Sequence, residues 1–384
     1  MHLGRLHCLD ALKAVASQLI VLHHLAAYGP ISDVLYPHAG AVFDWLYQDA
    51  RLAVQAFLVV SGFLTVRTLA PDGVLVVSSP GLLLWRRYCR LAIPYLAAIT
   101  VSIGAASVAR VWMNHESVPN APTLPQLVAH VFLLHDVLGY EALSAGVWYV
   151  AIDLQLFALV LGLLWVARRM PCGGEAQRWC APMLIALVAI ASLLHFNRHS
   201  DWDRWALYHF GAYGLGALVY WASDRDRAPI WMFLIACVGL LVLALDFRER
   251  MLVAVVVALL IGAARRVHPF DRWPEVKPLS FLARISYSLF LVHYPVCLLV
   301  NAAVARFFRA DLVANLAGLI AAWGASIVAG ALLCQLIERK AEQLVAPARR
   351  SGRLSVPSSV PPGGSSATIG VEPNAPLASS RRRS

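Results

Sequence analysis

The sequence predicts an all-α, polytopic integral membrane protein with about ten transmembrane helices and one short interfacial or re-entrant helix. Three observations predict this. Of 384 residues, 59% are hydrophobic and only 14% charged, too little charge to cover a soluble domain of that length. The apolar residues come in runs long enough to carry a helix across ~30 Å of hydrocarbon, where the backbone must satisfy its own hydrogen bonds. Lys and Arg gather between alternate runs, as the positive-inside rule requires.

The first run, 9–29, contains Lys13, His23 and His24 and is too long for a cleavable signal peptide. The second, 51–70, is interrupted by Ser61 and Gly62, whose small side chains allow close helix approach. The third, 88–110, opens beside Arg86, Arg87 and Arg90. The stretch 125–138, around Leu127 and Phe132, is shorter and holds His130 and His135, so it reads as interfacial or re-entrant. The fourth run, 145–168, begins with Trp148, Asp153 and Gln155. Runs 180–196, 205–223, 229–246 and 250–265 follow across short polar connections. The ninth, 284–306, carries Tyr287, Ser288 and His293 ahead of Pro295, and 313–337 is the tenth. The membrane domain therefore occupies 1–347. The tail 348–384, rich in Ser, Pro, Gly and Arg, reads as disordered and without catalytic content.

The basic residues lie at Arg67 and Arg86 to Arg90, at Arg168, Arg169 and Arg178, at Arg225 and Arg227, at Arg265 to Lys277, and after Arg339. The loops 29–50 and 111–146 contain neither Lys nor Arg. Both termini are accordingly expected in the cytoplasm, as an even number of spans demands. The net charge of +10 is then a property of loops facing anionic lipid, and no nucleic-acid partner is implied. Seven scattered cysteines show no metal or redox spacing. No internal repeat is visible, which weighs against inverted-repeat transporters.

Polar residues within spans are costly and need a reason. Lys13 and His24 stand eleven residues apart, about 20° from whole helical turns, so they share a face at a separation of about 16 Å. A buried histidine suits a general base, or is satisfied by a neighbouring helix. Asp153 is the lone carboxylate of its run and could orient an imidazole or partner a buried cation. Arg87 and Arg90 fall on one helix face near an N-terminus, a setting for phosphate as well as for ordinary anchoring. His293 is either a second functional histidine or a hydrogen-bond partner at the Pro295 kink.

Five segments in order carry a resemblance: Leu9-Asp10-Ala11-Leu12-Lys13 with His24, Phe57 to Leu64, Arg87 to Pro94, Trp148 to Gln155, and Ser286 to Pro295. Together they resemble the membrane-bound acyltransferase family 3, which includes O-antigen and exopolysaccharide O-acetyltransferases. The resemblance implies a catalytic His24 assisted by Lys13 and an acyl-CoA site at Arg86, Arg87 and Arg90 with Ser61 and Gly62 nearby. It also implies a catalytic carboxylate at Asp153, and substrate contacts from Trp148, Tyr287 and His293. The family usually has Glu at the position of Asp153, a second Glu where this chain has Leu154, and an acidic residue where it has Gln55. Some relatives carry a fused hydrolase-like domain, for which this chain is expected to be too short.

The activity this implies is O-acylation of a sugar hydroxyl on an exported polysaccharide or lipid-linked glycan, in a bacterial inner membrane. The donor is acyl-CoA, most often acetyl-CoA, with no permanently bound cofactor and no metal. The alternative is a proton-coupled transporter or glycan flippase, since buried Lys, His and Asp also serve those functions.

Overall fold

In the computed structural model, residues 7–267, 276–309 and 311–345 are described, and the expected tail 348–384 lies outside them. Those residues are helical, with no strand among them. The long helices are α1 (His7–Ala27), α2 (Pro30–Gln48), α3 (Val54–Leu69), α4 (Pro80–Trp112), α6 (Trp148–Arg169), α7 (Gln177–Leu194), α8 (Ala206–Ala222), α9 (Ile230–Leu245), α10 (Glu249–Arg266), α11 (Lys277–Phe307) and α12 (Leu312–Leu333). A short α5 (Leu124–Val131) precedes α6, and α13 (Arg339–Val345) follows α12 after a π turn at Cys334–Glu338.

Every expected run coincides with a helix. Among the described residues, seven helical stretches are long and apolar enough to cross a membrane. The three runs that fall short are α8, with 17 residues, α9, with 16, and α10, whose ends carry Glu249, Arg250, Arg265 and Arg266. Helix α5 spans eight residues, about 12 Å, too short to cross. A capping box builds it: the Thr123 hydroxyl accepts from Gln126 N while the Gln126 side chain accepts from Thr123 N.

Helix α2 differs from the sequence expectation, which treats 29–50 as a loop. Leu35 and Phe43 are buried while Tyr36, Trp45 and Tyr47 are exposed, so the segment is amphipathic. It bends at Ala39, two residues beyond Pro37, whose ring cannot join a straight helix.

Helix α11 is the centre of the bundle, packing against α1, α4 and α12. Its apolar window is 72% buried, against 28% for the stretch containing α12. On the other side α3 crosses α8 backbone to backbone. A Cβ on Gly62 would sit 1.9 Å from the Tyr213 carbonyl oxygen, and one on Gly216 would sit 1.9 Å from that of Val59. The small residues of the second run are therefore a helix-packing device, as expected of such positions.

The chain before α6 enters the bundle rather than skirting it. Ser102 Oγ on α4 donates to the Leu143 carbonyl at 2.7 Å, and Leu143, Ser144 and Val147 are all buried. Helix α6 thus starts inside the protein, and this sets the depth of everything on its first two turns.

Candidate active site

Two layers of polar residues meet along α11, separated by the five residues between Tyr287 and His293, about 9 Å of helix. The first layer is built on a buried ion pair. Arg87 Nη2 on α4 lies 2.5 Å from Asp153 Oδ2 on α6, and Asp153 is 4% exposed. The guanidinium also sits 5.3 Å from the Phe157 ring centroid, with the Tyr149 and Tyr213 hydroxyls in its field. Tyr213 shares a 2.7 Å hydrogen bond with Thr65, and Tyr149 reaches Ser61. Tyr287 donates to the Leu91 carbonyl at 2.8 Å, so its hydroxyl braces α11 against α4.

The second layer is a pair of histidines. His24 Nδ1 and His293 Nε2 lie 2.8 Å apart, their rings stacked at 4.7 Å between centroids. His293 Nδ1 lies 3.2 Å from the Leu289 carbonyl oxygen. A carbonyl can only accept, so His293 Nδ1 carries the proton and, in the neutral ring, Nε2 is an acceptor. His24 Nδ1 must then be the donor of the pair, and the lone pair of His24 is left on Nε2. Tyr28 stacks on the His24 ring at 5.5 Å, and His23 anchors the helix end, with Nδ1 3.0 Å from the Leu46 carbonyl oxygen.

His24 lies on the wall of a cavity of about 790 Å³. Opposite it stand Gly146 and Trp148, and Trp148 stacks on His209 of α8 at 5.5 Å. Tyr28, Tyr294 and Phe290 add aromatic surface, and Arg51, Arg250, Glu141 and Asp203 add charge. Two of the lining polar atoms, Gln55 Oε1 and Ser144 Oγ, are buried with no hydrogen-bond partner. Gly146 has φ +77, and a Cβ there would come within 2.9 Å of Phe290 and 3.5 Å of His24 Cε1. Only glycine fits this place.

The expected site residues therefore divide. His24, Trp148 and, behind His24, His293 are brought together. Arg87, Asp153, Tyr287 and Ser61 form the first layer, while Gly62 serves the α3–α8 crossing. Lys13 sits half-buried on α1, about 16 Å along the helix from His24. Arg86 is half-buried, and exposed Arg90 pairs with Glu342 of α13 at 3.0 Å. Arg87 and Arg90 thus engage carboxylates on different helices.

One expectation is corrected. Asp153 does not orient His24: its carboxylate is held by Arg87, and His293 takes the His24 nitrogen it was expected to serve. The cause is the buried start of α6, which carries Asp153 to the depth of Arg87. Of the functional candidates absent from the sequence expectations, His209 is a buried histidine in the apolar run of α8 and is open to the same reasoning as His24. Gly146 and Tyr28 carry no such signal. Among the described residues, no group of three or more His, Cys, Asp or Glu is placed to hold a metal ion.

The described residues form a helical bundle in which an arginine–carboxylate pair and a histidine pair flank α11, the histidines on the wall of a polar cavity. The acyltransferase family 3 domain, described as "Acyltransferase domain", matches residues 6–339, nearly the whole chain. The chain belongs to that family and is a membrane acyltransferase. No curated protein and no solved structure gives a significant match.

Proposed function

We propose that the protein transfers an acyl group, most often acetyl, from cytoplasmic acyl-CoA to a sugar hydroxyl of an exported polysaccharide or lipid-linked glycan. The observation that carries this reading is the hydrogen-bonded pair of His24 and His293 behind the cavity wall. With its Nδ1 proton committed to His293, His24 has an unprotonated Nε2 for the acceptor's hydroxyl proton. As the imidazolium forms, its Nδ1–H bond to His293 becomes charge-assisted and stronger. The orphaned Gln55 Oε1 accepts from a sugar hydroxyl, Ser144 Oγ donates to or accepts from another, and Trp148 and Tyr294 offer faces for the ring.

The donor enters from the end where α4 begins. Arg86 and Arg90 meet the phosphates, and Arg87, oriented by Asp153, supplies its buried, unpartnered Nε–H to the donor arm. Lys13 contributes positive charge on the same approach. In this reading ten helices cross a bacterial inner membrane with both termini cytoplasmic. Helix α2 and the segment 113–146 that contains α5 face outward, and the cavity opens toward the acceptor. The transporter or flippase alternative draws no support from the family.

The test is CoA release by purified full-length protein supplied with acetyl-CoA or succinyl-CoA and a glycolipid acceptor. Acceptor-dependent release by the wild type, lost by a properly inserted His24→Ala variant, supports the reading. Release at the wild-type rate by that variant removes His24 from the chemistry.

A further inference from the structure

A carboxylate, an imidazole and a hydroxyl that neither the family pattern nor the reading above uses meet beside the same cavity, with Ser117 on its wall and Asp33 exposed. Asp33 is on the first turn of α2, and His115 and Ser117 are in the loop between α4 and α5. His115 Nε2 lies 3.1 Å from Asp33 Oδ2, and His115 Nδ1 lies 2.7 Å from Ser117 Oγ. A carboxylate only accepts, so the ring proton is on Nε2 and Nδ1 is a lone pair. That lone pair accepts from Ser117 N–H at 3.1 Å, and the Ser117 hydroxyl shares it at 2.7 Å. Carboxylate, imidazole and hydroxyl stand in the order that activates a nucleophilic serine, with the carboxylate fixing the tautomer of the base.

The hydroxyl contact lies within one turn, between residues two apart in sequence. The turn is closed already by Val118 N donating to the His115 carbonyl at 3.1 Å and by Ser117 N donating to His115 Nδ1 at 3.1 Å. The position of Ser117 points to use. It lines the cavity together with His24. Its carbonyl accepts from Tyr294 at 2.5 Å, Tyr294 packs edge-on against Tyr28 at 5.3 Å, and Tyr28 stacks on His24. One hydrogen bond and two ring contacts thus link the serine's backbone to the histidine pair.

We propose that Ser117 is an acyl-carrying nucleophile, receiving the acyl group of a CoA thioester and passing it to the acceptor. This rests on the acyl-transfer reading above. In the first half, Ser117 Oγ bonds to the thioester carbonyl carbon and gives its proton to His115 Nδ1. The C–S bond then breaks, and the departing thiolate takes that proton to leave as free CoA. In the second half, the acceptor hydroxyl bonds to the acyl carbon and the bond to Ser117 Oγ breaks. The acceptor's proton, first taken by His24, ends on Ser117 Oγ. No oxidant or further reactant enters either half.

The experiment uses the full-length chain in lipid nanodiscs with acetyl-CoA and no acceptor. Digestion and mass spectrometry should find one acetyl group on the peptide carrying Ser117, with a burst of one CoA per protein. Ser117→Ala abolishes label and burst, and His115→Ala slows labelling about 10²-fold, the scale of a lost general base. Ser117→Cys, which keeps a nucleophile and the loop, becomes labelled as a thioester released by hydroxylamine; it guards against a variant that simply misfolds. CoA release by the wild type without acetyl on Ser117, or with acetyl on His24 in its place, overturns the proposal and leaves the acyl-transfer reading standing. Release by Ser117→Ala at the wild-type rate does the same. A wild-type protein that consumes neither acetyl-CoA nor succinyl-CoA overturns both.

Discussion

His24 Nδ1 donates to His293 Nε2 across 2.8 Å, joining helices α1 and α11 over 269 residues of sequence. Because His293 spends its own Nδ1 proton on the Leu289 carbonyl, the pair has one arrangement of protons when neutral. His293 is thus a positioning residue for His24. His293→Ala should lower kcat about 10²-fold with KM for acyl-CoA little changed. His293→Gln, whose side-chain oxygen accepts the same hydrogen bond, should recover part of the loss. Steady-state kinetics on both variants measure this. An alanine variant at full rate would show that His24 needs no such partner.

The pair of Arg87 and Asp153 makes a different prediction, because it is an ion pair removed from water. Asp153→Asn leaves a largely buried guanidinium, 23% exposed, with no counter-charge and should destabilise the protein by up to about 3 kcal/mol. Replacing both residues with apolar ones of similar volume should restore most of that stability while acyl-CoA affinity stays lost. Thermal unfolding in detergent, paired with donor binding on the wild type and both variants, separates the structural from the functional contribution.

How much of this was legible depends on the kind of information each feature needs. Apolar runs identify where a helix is, and each of the ten runs coincides with one. They do not report depth, and it is the segment 143–147, with Leu143, Ser144, Ala145 and Val147 buried, that starts α6 inside the bundle and sets the level of Asp153. They also overlook a helix such as α2, whose buried Ile31, Leu35 and Phe43 are interleaved in sequence with exposed Asp33, Pro37 and Asp44 and so never form a run. The residues Lys13, His24, Arg87, Asp153 and His293 stood out because polar groups in apolar segments are conspicuous. Their pairing did not, since it is decided by which helices cross. Gly146 left no trace at all: a positive φ and a close histidine are facts of the folded chain alone.

Gly146 accordingly supports a sharp prediction. Gly146→Ala places a methyl group 2.9 Å from the Phe290 ring in a backbone region that alanine disfavours. We expect a stability loss of about 1–3 kcal/mol from the backbone conformation and the crowding together. Because Phe290 and His24 flank the same spot, kcat should fall more than a loss of folded protein explains. Activity normalised to correctly folded protein by size exclusion checks this. A normalised rate equal to wild type would mean that the wall tolerates movement.

The last prediction concerns pH and lies outside the catalytic layers. His130 and His135, at and beyond α5, are each 1% exposed, with rings stacked at 4.1 Å, and His130 Nδ1 is bonded to Tyr95 at 2.6 Å. Burial pushes His130 down to about 4 and, with His130 beside it, His135 down to about 3. In the unfolded chain both return to about 6.5. Between those values the unfolded state binds protons that the folded state refuses, so stability rises with pH across the interval. The contribution of the neutral pair is complete above about pH 6.5 and is lost progressively as pH falls toward 4, at up to about 1.4 kcal/mol per pH unit for each ring. His135→Phe keeps an aromatic ring on His130 and removes one titrating group. Its thermal midpoint should decline less steeply than that of the wild type between about pH 6.5 and pH 4.5, and equal slopes would show that these rings are already open to water.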